Sequence, residues 1–404
     1  MKHPLSTFGA AGATNAAVFA FVLVNGVLMA RLLGPAGRGA VFTTVALPTA
    51  AAALVGSWVY PVLVRRAACS SAGSSERLLN TLCLRATLPL AAVTALLSWL
   101  LIVCFGRQLD GPARWMAVVY AALWAPLSLL ILNFQAHDLG RARWRRYNVL
   151  RLLPYPVILA GLLACFIAGR RDPAGVLVVL LASNLPPAVA RLWLARRDGG
   201  REEEVARVEM GGLYREALPF LAASGGTAAL TYADQVVAAA LLPGAEAGLY
   251  AVAQRMSLLL TPVSTAAGAV SLSEAARAPE AERPRRAWRG PVVFLLAGLG
   301  LALAPAVWYL VPVLYGREFA GARVAALLAL AAGVLAALAD FREQRLEGSG
   351  RPLRALPGRA GGAMALVAVA VPAALRWGPA GIAAGSVAGQ CVRGLLLFRS
   401  VGRR

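Results

Sequence analysis

The sequence predicts an all-α, polytopic membrane protein: about twelve transmembrane helices in two parallel six-helix lobes around a central cavity. Three observations lead there. Apolar runs of about eighteen residues or more recur along the chain, each long enough to cross roughly 30 Å of hydrocarbon. Charged residues make up only 15% of the 404-residue chain and apolar ones 59%, whereas soluble domains sit near a quarter and a half. Most of the 40 Lys and Arg residues fall in alternate loops, the asymmetry that the positive-inside rule assigns to cytoplasmic loops.

In chain order, spans are predicted near residues 8–33 and 39–64, joined by the turn Gly34-Pro35-Ala36-Gly37-Arg38. The first run is too long for a signal-peptide core, so it reads as a span. Spans 3 and 4 lie near 81–105 and 115–135, and a basic loop with Arg141, Arg143, Arg145 and Arg146 follows. Spans 5 and 6 lie near 149–168 and 174–194; Pro186-Pro187 removes two backbone donors, so span 6 should break there. The charged stretch 196–212 reads as a cytoplasmic linker between an N-terminal lobe (1–195) and a C-terminal lobe (213–404). Spans 7 and 8 form a hairpin over 214–272, closed by the turn 241–248. Spans 9 to 12 lie near 290–314, 322–340, 360–375 and 378–398.

The two halves repeat. Leu32-Leu33 and Gly39 align with Leu241-Leu242 and Gly248, and Asn25 then falls on Asp234. Phe105-Gly106-Arg107 aligns with Tyr315-Gly316-Arg317, Gly140-Arg141 with Gly350-Arg351, and Pro173-Ala174-Gly175 with Pro379-Ala380-Gly381, which sets Asn184 on Gln390. Each match is weak alone; their common order and near-common spacing carry the repeat. Six spans per half send both halves into the membrane the same way round, the parallel repeat of many transporters.

The net charge of +21 follows from the basic cytoplasmic loops, so nucleic acid is not an expected partner, whereas anionic membrane lipid is. Five cysteines lack metal-ligand spacing, and two histidines in the whole chain leave little for a metal centre or a triad. No phosphate loop, HExxH or dinucleotide fingerprint is present, and no loop is large enough for a catalytic domain. No enzyme activity and no cofactor are expected; any transport would draw on an ion gradient, H⁺ or Na⁺, or on the substrate itself.

A charge at mid-membrane costs a few kcal/mol even on lenient scales, so Asp234 in span 7 and Arg255 in span 8 are the leading candidate site residues. They lie at similar depth on one hairpin, which leaves two readings: a titratable group facing a cavity, or a structural ion pair. Asn25, Gln235, Asn184 and Gln390 are polar groups within spans, to be read as cavity residues or as interhelical hydrogen bonds. Arg31 and Arg38 stand near a turn, where they would meet an anionic head group or simply the interface. Arg85 and Arg323 read as snorkelling side chains, and His137 and Asp138 as solvated ones.

The chain resembles the polysaccharide (O-antigen type) flippases of the multidrug/oligosaccharidyl-lipid/polysaccharide exporter superfamily. The likeness is carried by Ala30-Arg31-Leu32-Leu33-Gly34-Pro35-Ala36-Gly37-Arg38-Gly39, by Tyr214-Arg215-Glu216-Ala217-Leu218-Pro219-Phe220 and by Tyr232-Ala233-Asp234-Gln235-Val236. It continues in Gly248-Leu249-Tyr250-Ala251-Val252-Ala253-Gln254-Arg255, Tyr315-Gly316-Arg317-Glu318-Phe319 and Trp377-Gly378-Pro379-Ala380-Gly381. The resemblance implies alternating access in a bacterial plasma (inner) membrane with both termini cytoplasmic. It implies a lipid-linked glycan (a polyprenyl-diphosphate oligosaccharide) as substrate, arginines for the diphosphate, and polysaccharide polymerase or assembly proteins as partners. Many relatives have fourteen spans; this chain has twelve. Two other readings are a drug/cation antiporter of the same superfamily, which would lean on Asp234, and a membrane-embedded glycosyltransferase or ligase, which would need a larger loop.

Overall fold

The computed structural model describes residues 4–69, 75–106, 109, 111–197, 210–261, 289–348 and 352–402. The linker core 198–209, the end of span 8 and the basic loop after it lie outside the described residues. Helix α1 (Pro4–Gly56) contains spans 1 and 2, which meet at Gly34, whose positive φ of 63° takes the chain out of helical geometry; a side chain would be strained there. Span 2 continues as α2 (Tyr60–Cys69) after a break at Pro61, which cannot donate to the Ser57 carbonyl. Helices α3 (Ser75–Phe105) and α4 (Gly111–Gly140) are single spans.

Span 5 is α5 (Trp144–Leu152) followed by α6 (Pro154–Ile167), and span 6 is α7 (Pro173–Ala182) followed by α8 (Leu185–Arg197). Both breaks sit at proline pairs. The second is the one expected at Pro186-Pro187. Then come α9 (Met210–Leu241) and α10 (Gly244–Ser257), which is followed by a tighter turn over Leu258–Leu260. The chain closes with α11 (Arg289–Tyr315), a tight turn over Arg317–Ala322, α12 (Arg323–Gly348), α13 (Leu356–Trp377) and α14 (Pro379–Gly402). The described residues are almost entirely helical, and nine of these segments are long and apolar enough to cross a bilayer, α1 being counted as one. This is a multi-pass helical membrane protein.

By contact the chain divides into two units: Met1–Asn25 with Thr44–Gly225, and Gly26–Thr43 with Gly226–Arg404. In the first, Val62, Leu63, Leu82, Leu90, Leu129 and Phe134 form a buried core beneath Leu213 and Ala217. In the second, α13 and α14 approach closely through glycine. Gly381, Gly385 and Gly389 recur every fourth residue on α14, the small-residue spacing that brings helix backbones together in lipid. A Cβ on Gly362 would stand 2.9 Å from the Gly389 carbonyl oxygen, and one on Gly389 2.8 Å from that of Gly362. Dispersion and close approach hold this pair, because lipid tails are as apolar as any leucine they would replace.

Candidate functional site

The mid-span acid of α9 is held by its own hairpin. The Tyr250 hydroxyl of α10 donates to Asp234 Oδ2 at 2.6 Å, and the Gln235 backbone N–H donates to Oδ1 at 2.8 Å. Ser386 of α14 reaches the same pair. Arg255, the partner in one of the two sequence readings, is not among the described contacts of Asp234. The buried ring of Tyr250 also meets Phe42 edge to face, with centroids 6.1 Å apart.

Arg255 belongs to a second group. It lies within electrostatic reach of Arg38 and Tyr315, which also influence each other. Arg38 is only 5% exposed; one terminal nitrogen faces the Met29 sulfur, a weak acceptor, and its Nε has no partner. The Tyr315 hydroxyl is buried and likewise unpartnered. Among the described residues no carboxylate figures in the surroundings that act on Arg38. Buried Arg38 and Tyr315 beside half-buried Arg255 bring two guanidiniums and a phenol together, a place that would accept an anion. Arg38, read from sequence as an interfacial residue, is therefore a buried one; its helical spacing from the Gly34 turn carried no sign of that.

The remaining candidates scatter. Asn25 lies in the first unit, where its amide donates to the Tyr155 carbonyl at 3.2 Å and its Oδ1 has no partner. Asn184, in the break before Pro186, donates to the Leu180 carbonyl at the end of α7 at 2.8 Å, a contact within its own span. The Gln235 side chain carries no described bond, its backbone N–H serving Asp234. Arg31 donates from Nε to the Leu314 carbonyl at 2.8 Å and from a terminal nitrogen to that of Val313, capping the end of α11. Gln390 accepts from Arg393 at 3.2 Å.

That last contact leads to residues outside the candidate set. In the first unit Asp138, at the end of α4, is fully buried and held by Arg191 of α8 and by Arg146 of α5, the latter at 3.2 Å. His137 is buried beside it; neither is solvated as expected. In the second unit Glu343 of α12 accepts from Arg359 of α13 at 2.9 Å and from Arg393 of α14 at 2.8 Å. Arg393 also reaches Asp340 at 2.6 Å. Each unit thus closes its fourth span with a carboxylate gripped by arginines from its fifth and sixth. Among the described residues no three His, Cys, Asp or Glu side chains gather as a metal site.

The model of the polysaccharide biosynthesis protein family matches residues 10–272, well over half of the chain. The chain belongs to this family. No curated protein matches the sequence. Among solved structures, the lipid II flippase MurJ in an inward closed conformation is similar with a TM-score of 0.78 at 12% identity, covering 96% of this chain and 87% of that one. A multidrug resistance MATE family transporter of the MOP superfamily is similar in its inward-facing form (TM-score 0.68, 16% identity, 95% and 94% covered) and in its outward-facing form (0.63, 16%, 99% and 94%). This member of the polysaccharide biosynthesis family therefore has the fold of MOP-superfamily flippases and transporters, as the motifs implied.

Proposed function

We propose that the protein is a flippase that carries a lipid-linked oligosaccharide, a polyprenyl-diphosphate glycan, across the bacterial plasma membrane by alternating access, for polysaccharide biosynthesis such as O-antigen assembly. Both termini then lie in the cytoplasm, where the basic loops sit, and a polymerase or assembly protein receives the product. The observation that carries this reading is the group of buried Arg38 and Tyr315 with half-buried Arg255. It offers guanidinium donors with no described carboxylate acting on Arg38, and arginine forks suit phosphate oxygens. Family membership and the fold shared with a lipid II flippase support the same substrate class.

Asp234 serves in this scheme as the coupling group, exchanging H⁺ or Na⁺ as access alternates, with Tyr250 holding its carboxylate in place. The test is translocation of a fluorescent lipid-linked oligosaccharide in proteoliposomes. Arg38→Ala and Arg255→Ala should each slow it by at least about tenfold, the loss of one charge-assisted hydrogen bond. Wild-type rates in both would remove the site. A drug/cation antiporter is the second reading, favoured by the half-buried mid-span acid Asp234 and the MATE-like fold. Ethidium efflux that depends on Asp234 but not on Arg38 or Arg255 would establish it.

A further inference from the structure

We infer that a groove at the end of α11, apart from the Arg38–Arg255 group, binds the phosphate head group of an anionic membrane lipid. The groove encloses about 650 Å³ and is lined by Arg31, Arg317 and Arg323 together with Tyr309, Val313 and Gly316. Three guanidiniums meet there, and no carboxylate stands among the described residues lining it. The inference goes beyond the proposed transport, and neither depends on the other.

Each arginine is placed by a different feature. Arg31 is anchored on the α11 end by the Leu314 and Val313 carbonyls, which leaves one terminal nitrogen to face outward. Arg323, at the first position of α12, lies over the Trp308 ring with its carbon 5.3 Å from the centroid, and its buried Nε has no partner. Arg317 is exposed just beyond Gly316, whose φ of 116° turns the chain back on itself. Guanidiniums that share a small volume repel one another until an anion arrives, and a phosphate accepts from several forks at once.

The surroundings select a lipid over a free ion. Leu310, Val313 and Leu314 leave an exposed apolar strip on the last turns of α11 beside the groove, with Tyr309 68% exposed next to it. An acyl chain lying on that strip puts its head group among the arginines. Aromatic and basic side chains at the end of a span mark head-group depth, and basic pockets among spans bind anionic head groups. Arginines that merely snorkelled would stand apart on a convex surface; these three converge on one concavity.

The experiment uses the full chain in neutral detergent and native mass spectrometry, with phosphatidylglycerol and phosphatidylcholine of matched chains as probes. Wild type should retain phosphatidylglycerol about tenfold better, and each of Arg317→Gln and Arg323→Gln should cut that preference about fivefold. Arg376→Gln, which removes an exposed charge outside the groove, should leave it unchanged. Arg317 has no described partner, so its variant folds if wild type does, and gel filtration checks that it does. Equal binding of the two lipids, or a preference that survives the Arg317→Gln/Arg323→Gln variant, overturns the inference. So does millimolar inorganic phosphate that raises the thermal midpoint of lipid-free wild type but not of the double variant, because the groove would then take the free anion.

Discussion

Gly39 and Gly248 face each other through bare backbone in the second unit. A Cβ on Gly39 would overlap the Gly244 carbonyl and stand 2.9 Å from the Gly248 nitrogen; one on Gly248 would overlap the Pro35 carbonyl and stand 3.1 Å from the Gly39 nitrogen. These are the two glycines that the internal repeat aligns, and Pro35 aligns with Gly244. The contact is therefore reciprocal, as in an isologous interface about a twofold axis.

Gly39→Ala and Gly248→Ala should each destabilise the protein by about 1–3 kcal/mol, the usual penalty of overpacking, since the obstacle is backbone and cannot swing away. Gly225→Ala, where nothing lies within 4 Å, is the comparison. Thermal unfolding in detergent reads the difference, and equal midpoints for all three would mean the tips yield freely.

Asp138→Asn should cost about 3–5 kcal/mol, because Arg191 would then be a buried charge without its counter-ion. The loss should persist in high salt, which screens buried pairs poorly. Pairing Asp138→Leu with Arg191→Leu should recover much of it, and a double-mutant cycle measures the coupling. By contrast Arg65→Ala, at an ion pair with Glu216 whose arginine is 68% exposed, should change stability by less than about 1 kcal/mol.

Tyr250→Phe keeps the ring that meets Phe42 and deletes the hydroxyl that holds Asp234. Translocation should fall by about tenfold, the weight of one hydrogen bond to a charged group, while the amount of protein in the membrane is unchanged. Asp234→Asn should show the same pattern. Wild-type transport by both would make the pair a structural brace.

Asn184→Ala should lose about 1 kcal/mol of stability and leave transport intact, since its amide serves the Leu180 carbonyl of the preceding helix in its own span. A transport defect with normal stability would return Asn184 to the list of substrate contacts.

Much of this fold could be read from the chain because apolar length and proline placement are local signals. The break at Asn184-Leu185-Pro186-Pro187 needed only the missing N–H groups. Asp234 could be singled out because a lone carboxylate in an apolar run is conspicuous. Its partner could not: an ion pair with Arg255 and a hydrogen bond from Tyr250 are equally compatible with hairpin spacing, and only the rotation of α10 decides. The two arginine-gripped carboxylates stayed hidden for another reason. Their members match between halves at three different offsets, so no single alignment brings Asp138 onto Glu343 together with Arg191 onto Arg393. Basic loops flanking Asp138 also made it look like one more solvated charge.

The grip on Asp138 has a consequence for how the chain is made. Arg191 is translated roughly fifty residues after Asp138, a wait on the order of seconds at ribosomal speed. Arg146 supplies one counter-charge soon after Asp138, but burial of the acid also calls on Arg191, so α4 has reason to linger beside the insertion machinery until α8 emerges. Glu343 waits a similar stretch for Arg393. The nascent protein would thus enter the bilayer as two successive packets, each released when its last helix delivers the second arginine of the grip.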